Sequence, residues 1–171
     1  LKLADARRDQ YRKLAKENNY RSRAVYKLSQ INKSFHLLKR GMKIVDIGAA
    51  PGGWLQFASK IAGDNGLVIG IDLKDIEPIP NVITLKNDVD DRETLALILK
   101  SLGGKADIVM SDLAPNVSGL WEIDHLRQID LTRKAVEITK NILRHDGNAL
   151  YKIFQGESTS EFVADTRKIF S

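Results

Sequence analysis

The chain has no cysteine among its 171 residues, so neither a disulfide nor a thiolate metal site can form. Histidine is almost as scarce: His36, His125 and His145 lack the spacing of zinc ligands, and no bound metal is expected. Four prolines, 6% aromatic residues, no low-complexity run and no internal repeat argue against a disordered segment or a solenoid. No apolar run approaches the roughly 18 residues that read as a membrane helix. The first ten residues, LKLADARRDQ, lack the long apolar segment of a secretory signal. A monomeric cytoplasmic protein without membrane contact is the economical expectation, which makes the Asn116-Val117-Ser118 triplet no sugar acceptor. With 43% apolar residues, the length suits a single domain over 1–171 with a real core.

What the chain does have is unevenly placed charge. Residues 1–27 hold nine Lys or Arg against three Asp or Glu, whereas the remainder holds eighteen against nineteen. The whole basic excess lies in that first segment. Concentrated cations attract polyanions by counterion release and field focusing. Residues 1–27 therefore read as a basic lead-in for a polyanion, with Arg7, Arg8, Arg12, Arg21 and Arg23 as candidate phosphate contacts.

The apolar pattern gives the architecture. A polar helix is expected over 4–17 and a second over about 22–35, where Val25, Leu28, Ile31 and Phe35 form a core-facing stripe and Lys27 lies off it. KIVDI (43–47), LVIGI (67–71), NVITL (81–85), DIVMSD (107–112) and NALYKIF (148–154) read as strands. Helices are expected from Gly53, over 92–102, and over 122–144 with Leu126, Ile129, Ala135, Ile138 and Ile142 inward. STSE at 158–161 has capping-box spacing and should open a last helix. Continuous apolar strands alternating with helices predict an α/β fold, a mostly parallel sheet with helices on both faces. Ligands in such sheets bind beyond the carboxyl ends of the strands. Asp46, Asp72, Asp112 and Lys152 all fall there.

The loop IVDIGAAPGGWLQ (44–56) follows the first strand. Gly48 allows a tight turn, and Gly52 and Gly53 allow close backbone approach to a ligand and to the next helix. The dinucleotide fingerprint needs a glycine where Ala50 stands, and Pro51 stiffens the loop, so a nicotinamide cofactor is disfavoured. An adenosine ligand without phosphate fits better. Asp46 can answer an ammonium through the structure around it, Asp72 can accept from two ribose hydroxyls, and Asp88 can accept from the adenine amino group. That set suits S-adenosylmethionine. Trp54 either packs under the loop or touches the cofactor.

The segments YRSRAVYKL (20–28), VDIGAAPGGW (45–54), MSDLAPNVSG (110–119), the Asp124-His125 pair and KIFQGE (152–157) together resemble the FtsJ (RrmJ) family of RNA ribose 2′-O-methyltransferases. The resemblance runs from about residue 12 to the end. It implies a Rossmann-like S-adenosylmethionine-dependent methyltransferase fold. It also implies an active site of lysine, aspartate, lysine and glutamate, the first three falling on Lys27, Asp112 and Lys152. Gly52, Trp54, Asp72 and Asp88 would take cofactor-site positions. The family's glutamate and two further strands have no counterpart before Ser171, so a C-terminal part of the domain is expected to be missing. The implied reaction is methyl transfer to a ribose 2′-hydroxyl, in ribosomal RNA (a 23S-type uridine) or in transfer RNA.

That reaction needs oxygen, methyl carbon and sulfur in line and a destination for the proton. Lys152 is the best placed residue to orient or deprotonate the hydroxyl, with Asp112 fixing its ammonium; the sequence leaves both roles open. Phe154 and the flanking QGE are expected to shape the target pocket or the turn above it. A small-molecule methyltransferase would not need the basic lead-in. A base methyltransferase would carry a cysteine nucleophile or an NPPY-like stretch, and neither is present. A noncatalytic RNA-binding domain retaining the fold is the alternative: Lys27, Asp112 and Lys152 argue against it, and the missing fourth residue leaves it open.

Overall fold

The computed structural model describes the backbone of residues 2–170 and the side chains of 10–170. Helices α1 (Lys2–Glu17) and α2 (Ala24–Phe35) precede β1 (Lys43–Ile47), α3 (Gly53–Ala62), β2 (Leu67–Asp72), β3 (Val82–Lys86) and α4 (Arg92–Leu102). β4 (Ala106–Ser111), α5 (Trp121–Ile142), β5 (Leu143–Tyr151) and α6 (Thr159–Phe170) complete the order. The sheet has five strands in the order β3-β2-β1-β4-β5, and every neighbouring pair is parallel.

Side chains alternate across the strands, so each central strand feeds two cores. Ile44, Val68, Ile108 and Met110 join Leu28, Trp54, Leu55 and Ala58 on the α2–α3 face. Val45, Ile47, Ile69 and Val109 join Ile98, Leu102, Ala135 and Ile142 on the α4–α5 face. Register levels the strand ends: Ile47 pairs with Ser111, and Ser111 with Tyr151. Gly48, Asp112 and Lys152, each one residue further on, therefore share a level at the point where strand order reverses. Such a switch point opens a crevice in α/β sheets.

Four expectations are corrected. Phe35 is 71% exposed rather than inward. The left-handed residue His36 ends α2, and Leu38, its amide held by Asn32 Oδ1 at 2.7 Å, takes the buried place. Leu126 is 57% exposed, because the inward face of the first turns of α5 is polar: Asp124, His125 and Gln128 are buried. β5 starts at Leu143, carries an irregularity opposite Ala106 and Ile108, and stops at Tyr151, so Ile153 and Phe154 lie outside it. The Ser158 amide, which Glu161 would satisfy in a capping box, donates to His125 Nε2 at 3.2 Å.

Candidate active site

Gly48 turns the chain off β1 with φ +81°, and a Cβ there would come within 2.7 Å of Leu113 Cγ and 3.2 Å of its Cα. That close approach brings the loop after β1 against the loop after β4. Around this contact lie three cavities, and Asp112 lines all of them. The first, about 400 Å³, runs along Gly48, Asp72, Asp88, Leu113 and Asn116. A small one, about 130 Å³, lies between Ser22, Asp46, Gly53 and Trp54. The third, about 350 Å³, is walled by Tyr11, Arg23, Lys27, Trp54 and Lys152.

Asp46 is the anomaly of the small cavity. It is 1% exposed, on the α2–α3 face of β1, and neither carboxylate oxygen has a hydrogen-bond partner among the described residues. Burial pushes its pKa well above the ordinary carboxylate value, and the charges of Asp112 and then Asp72 push the same way. An unpartnered buried acid with two acidic neighbours is suited to a ligand that brings positive charge.

Asp72 ends β2, where Oδ2 accepts from the Ala50 amide and Oδ1 from the Lys74 amide, both at 2.9 Å. It thus shapes the glycine loop while facing the first of these cavities, and each oxygen keeps a second lone pair for a ligand. Asp88 faces the same cavity and accepts the Asp90 amide at 2.9 Å. Trp54 resolves into both of its readings. Its indole N–H donates to Ala24 O at 3.0 Å, and its buried ring forms a wall of the small cavity and of the Lys27–Lys152 cavity.

Beyond β5, the Lys152 amide still donates to Ser111 O at 3.0 Å, as a sixth rung of the ladder would. Its ammonium reaches back to Asp112, 2.6 Å from Oδ1 and 3.0 Å from the carbonyl oxygen. Lys27, exposed on α2, lines the same cavity, as does Arg23. The three residues expected to carry chemistry, Lys27, Asp112 and Lys152, are brought together.

Gln128 was not foreseen. It is fully buried on α5; Nε2 donates to Lys152 O at 2.6 Å, and Oε1 accepts the Phe154 amide at 2.9 Å. The side-chain amide thus ends β5 by doing what a neighbouring strand would do. Nε2 also lies 3.3 Å from Leu113 O, linking the loops that carry Asp112 and Lys152. The clue in the sequence is a glutamine one position before Ile129, at the edge of an otherwise apolar stripe. Asp124, likewise buried, accepts from the Ser118 and Gly119 amides and the Ser118 hydroxyl, and these bonds, the Ser118 amide first, hold its pKa below the ordinary value.

Two candidate residues turn away from the crevice. Arg21 is not placed to grip RNA: its guanidinium is spent on the carbonyl oxygens of Pro51, Glu77 and Pro78 at 3.4, 2.5 and 2.9 Å. Gly52, at φ +106°, gives its missing side-chain space to Ile79, Arg21 and Ile76, so it packs protein on protein. Arg12 is exposed on α1, and α1 itself is seated through the buried Ala15 and the Tyr11–Tyr26 ring pair at 5.4 Å. The side chains of Arg7 and Arg8 lie outside the described residues. Among the described residues no group of three His, Asp or Glu could hold a metal, and no helix is long and apolar enough to cross a membrane.

The parallel sheet reversing at β1/β4, the glycine loop after β1 and the acids along the strand ends define the Rossmann-like fold of S-adenosylmethionine-dependent methyltransferases. Within that class the chain belongs to the FtsJ-like methyltransferase family, whose model matches residues 20–171. It is 47% identical over 169 residues to a Methanothrix thermoacetophila protein named ribosomal RNA large subunit methyltransferase E, covering 99% of this chain and 66% of that protein. A Nitrosopumilus maritimus protein of the same name is 43% identical over 171 residues, covering 100% of this chain and 87% of that one. A crystal structure from Plasmodium falciparum, described as that of a ribosomal RNA methyltransferase, superposes with a TM-score of 0.81 at 30% identity, over 87% of this chain and 86% of that one. The chain thus spans about two thirds of the length of the first of these relatives.

Proposed function

We propose that this chain transfers the methyl group of S-adenosylmethionine to a ribose 2′-hydroxyl of RNA, with large-subunit ribosomal RNA as the substrate class. The observation that carries the reading is the position of Asp112 in the wall of all three cavities. One side offers acids suited to a nucleoside, another an unpartnered buried carboxylate, and the third a basic slot. Asp72 and Asp88 would hold the adenosine portion, and the small cavity beside Asp46 the methionyl portion with its ammonium. The names of the relatives favour ribosomal RNA over transfer RNA.

When bound, the cofactor supplies a methyl carbon already activated by a sulfonium. The chain's own task is alignment and proton removal. Lys152 has three N–H donors, two of them directed at Asp112, which leaves one for the ribose oxygen. Arg23 and Lys27 hold the flanking phosphate charge at the mouth of the slot. Lys152 would orient the 2′-oxygen while the carbon–sulfur bonding pair stays with the cofactor's sulfur, and the hydroxyl proton would pass to water beside the Lys152–Asp112 pair, because an ammonium has no lone pair to take it.

Labelled cofactor and total RNA from cells lacking the modification, followed by mapping of alkali-resistant linkages, test the reading. One labelled 2′-O-methyl nucleotide in large-subunit RNA is the expected result. Label on a base, or on small molecules alone, would refute it, and label in transfer RNA would correct the substrate class.

A further inference from the structure

Trp121 opens α5 with 59% of its surface exposed, and it stacks on Phe154 at 5.6 Å between centroids and 25° between planes. The Phe154 ring in turn lies 5.8 Å from Lys152 Nζ. Val117, Leu120 and Leu126, within five residues of Trp121 in the sequence, are 71%, 61% and 57% exposed. So many exposed large apolar residues within one short segment point to a contact surface. The turn that presents it is pinned: Asp124 gathers the Ser118 amide at 2.8 Å, the Ser118 hydroxyl at 2.8 Å and the Gly119 amide at 3.1 Å. A largely exposed tryptophan on a fixed turn, stacked on a phenylalanine that neighbours Lys152, calls for an occupant.

We infer that Trp121 and Phe154 form a stacking platform for an unpaired RNA base within one nucleotide of the ribose held at Lys152. The inference rests on the RNA reading above and adds the surface that takes the base. Charge selects the occupant. The adjoining slot presents Arg23, Lys27 and Lys152, which draws a polyanion. Residues 117–126 hold no lysine or arginine and two acids, Glu122 and Asp124. The exposed face of this segment therefore offers phosphate no cation of its own, and its two rings suit the uncharged face of the nucleotide. Every base has a π-face, so stacking tolerates any sequence.

The test uses the chain and a short single-stranded RNA, with a matching RNA abasic at successive positions, and reads affinity against salt. Trp121→Ala should weaken binding about 5- to 150-fold, the range for losing one stacked base. The slope of log K on log salt should stay as it was, since no phosphate contact is lost. Trp121→Phe should restore most of the affinity, and one abasic position should abolish the difference between W121A and the unaltered chain. Equal RNA affinity for W121A would overturn the platform, whether or not the variant also shifts self-association and so points to a second copy as occupant. A parallel fall in the salt slope would overturn it as well. Failure of the unaltered chain to bind any RNA would instead remove the RNA reading on which the platform stands.

Discussion

The ammonium of Lys152 lies 2.6 Å from the Asp112 carboxylate and 3.0 Å from the carbonyl oxygen of that same residue. Both contacts come from one residue on the neighbouring strand end, so the lysine head is fixed in direction as well as distance. Both side chains are only about a quarter exposed, at 23% and 28%, which limits screening by water.

From that geometry Lys152→Ala should keep cofactor affinity and fold while single-turnover methyl transfer falls by at least about 10²-fold. Lys152→Arg should not restore it. The guanidinium keeps the charge, but its wide planar head cannot take both oxygens of Asp112 and still present a donor at the same point. Near-normal transfer by K152A with RNA and cofactor saturating would remove the lysine from the chemistry.

Gln128 should behave as a positioning residue. Gln128→Leu leaves the Lys152 carbonyl and the Phe154 amide without partners, at about 1–3 kcal/mol for each buried group. The expected signature is a lower melting temperature and a turnover number reduced at least about tenfold, with the cofactor dissociation constant within about twofold of normal. A variant that lost cofactor binding as strongly as turnover would show general damage rather than misplacement of Lys152.

Much of this arrangement was legible from residue order, and the exceptions share a cause. Apolar strands alternating with helices give the parallel sheet, and the parallel register brings strand-end residues such as Asp112 and Lys152 to one level. Side-chain polarity by itself says nothing about which way a residue faces. Gln128, which no pattern singled out, is buried, whereas Phe35 and Leu126 read as core and are exposed. Arg21 lies in a basic run, yet its bonds reach partners 30 to 57 residues away. Only the tertiary fold brings those carbonyls within range.

That difference between basic residues can be measured. Arg23→Gln should flatten the dependence of log K for single-stranded RNA on log salt by about 0.7, the loss of one phosphate contact. Arg21→Gln should leave the slope unchanged while lowering thermal stability and cofactor affinity, because it frees the glycine loop from residues 77 and 78. Interchanged results would return Arg21 to the RNA interface and make Arg23 ordinary surface.

Asp46 gives the pH dependence. Its pKa is raised in the folded chain by burial, then by Asp112 and Asp72, so folding favours the protonated form. In the unfolded chain the same carboxyl ionises near its ordinary value of about 3.9. The stability this acid contributes is complete below that value and is lost as pH rises through the raised one. Asp46→Asn cannot ionise and should remove that loss. As pH rises from about 4 through the raised pKa, its melting temperature should fall less than that of the unaltered chain, by about 2–4 °C for each 1 kcal/mol recovered. The cofactor's ammonium would reverse the preference and favour the carboxylate. Binding should therefore release a proton, seen as a dependence of calorimetric enthalpy on buffer ionisation, and affinity should rise with pH until the raised pKa is passed. D46N should bind more weakly and release none. Identical pH slopes for both proteins, together with cofactor binding that releases no proton, would leave Asp46 a buried brace and remove it from the cofactor site.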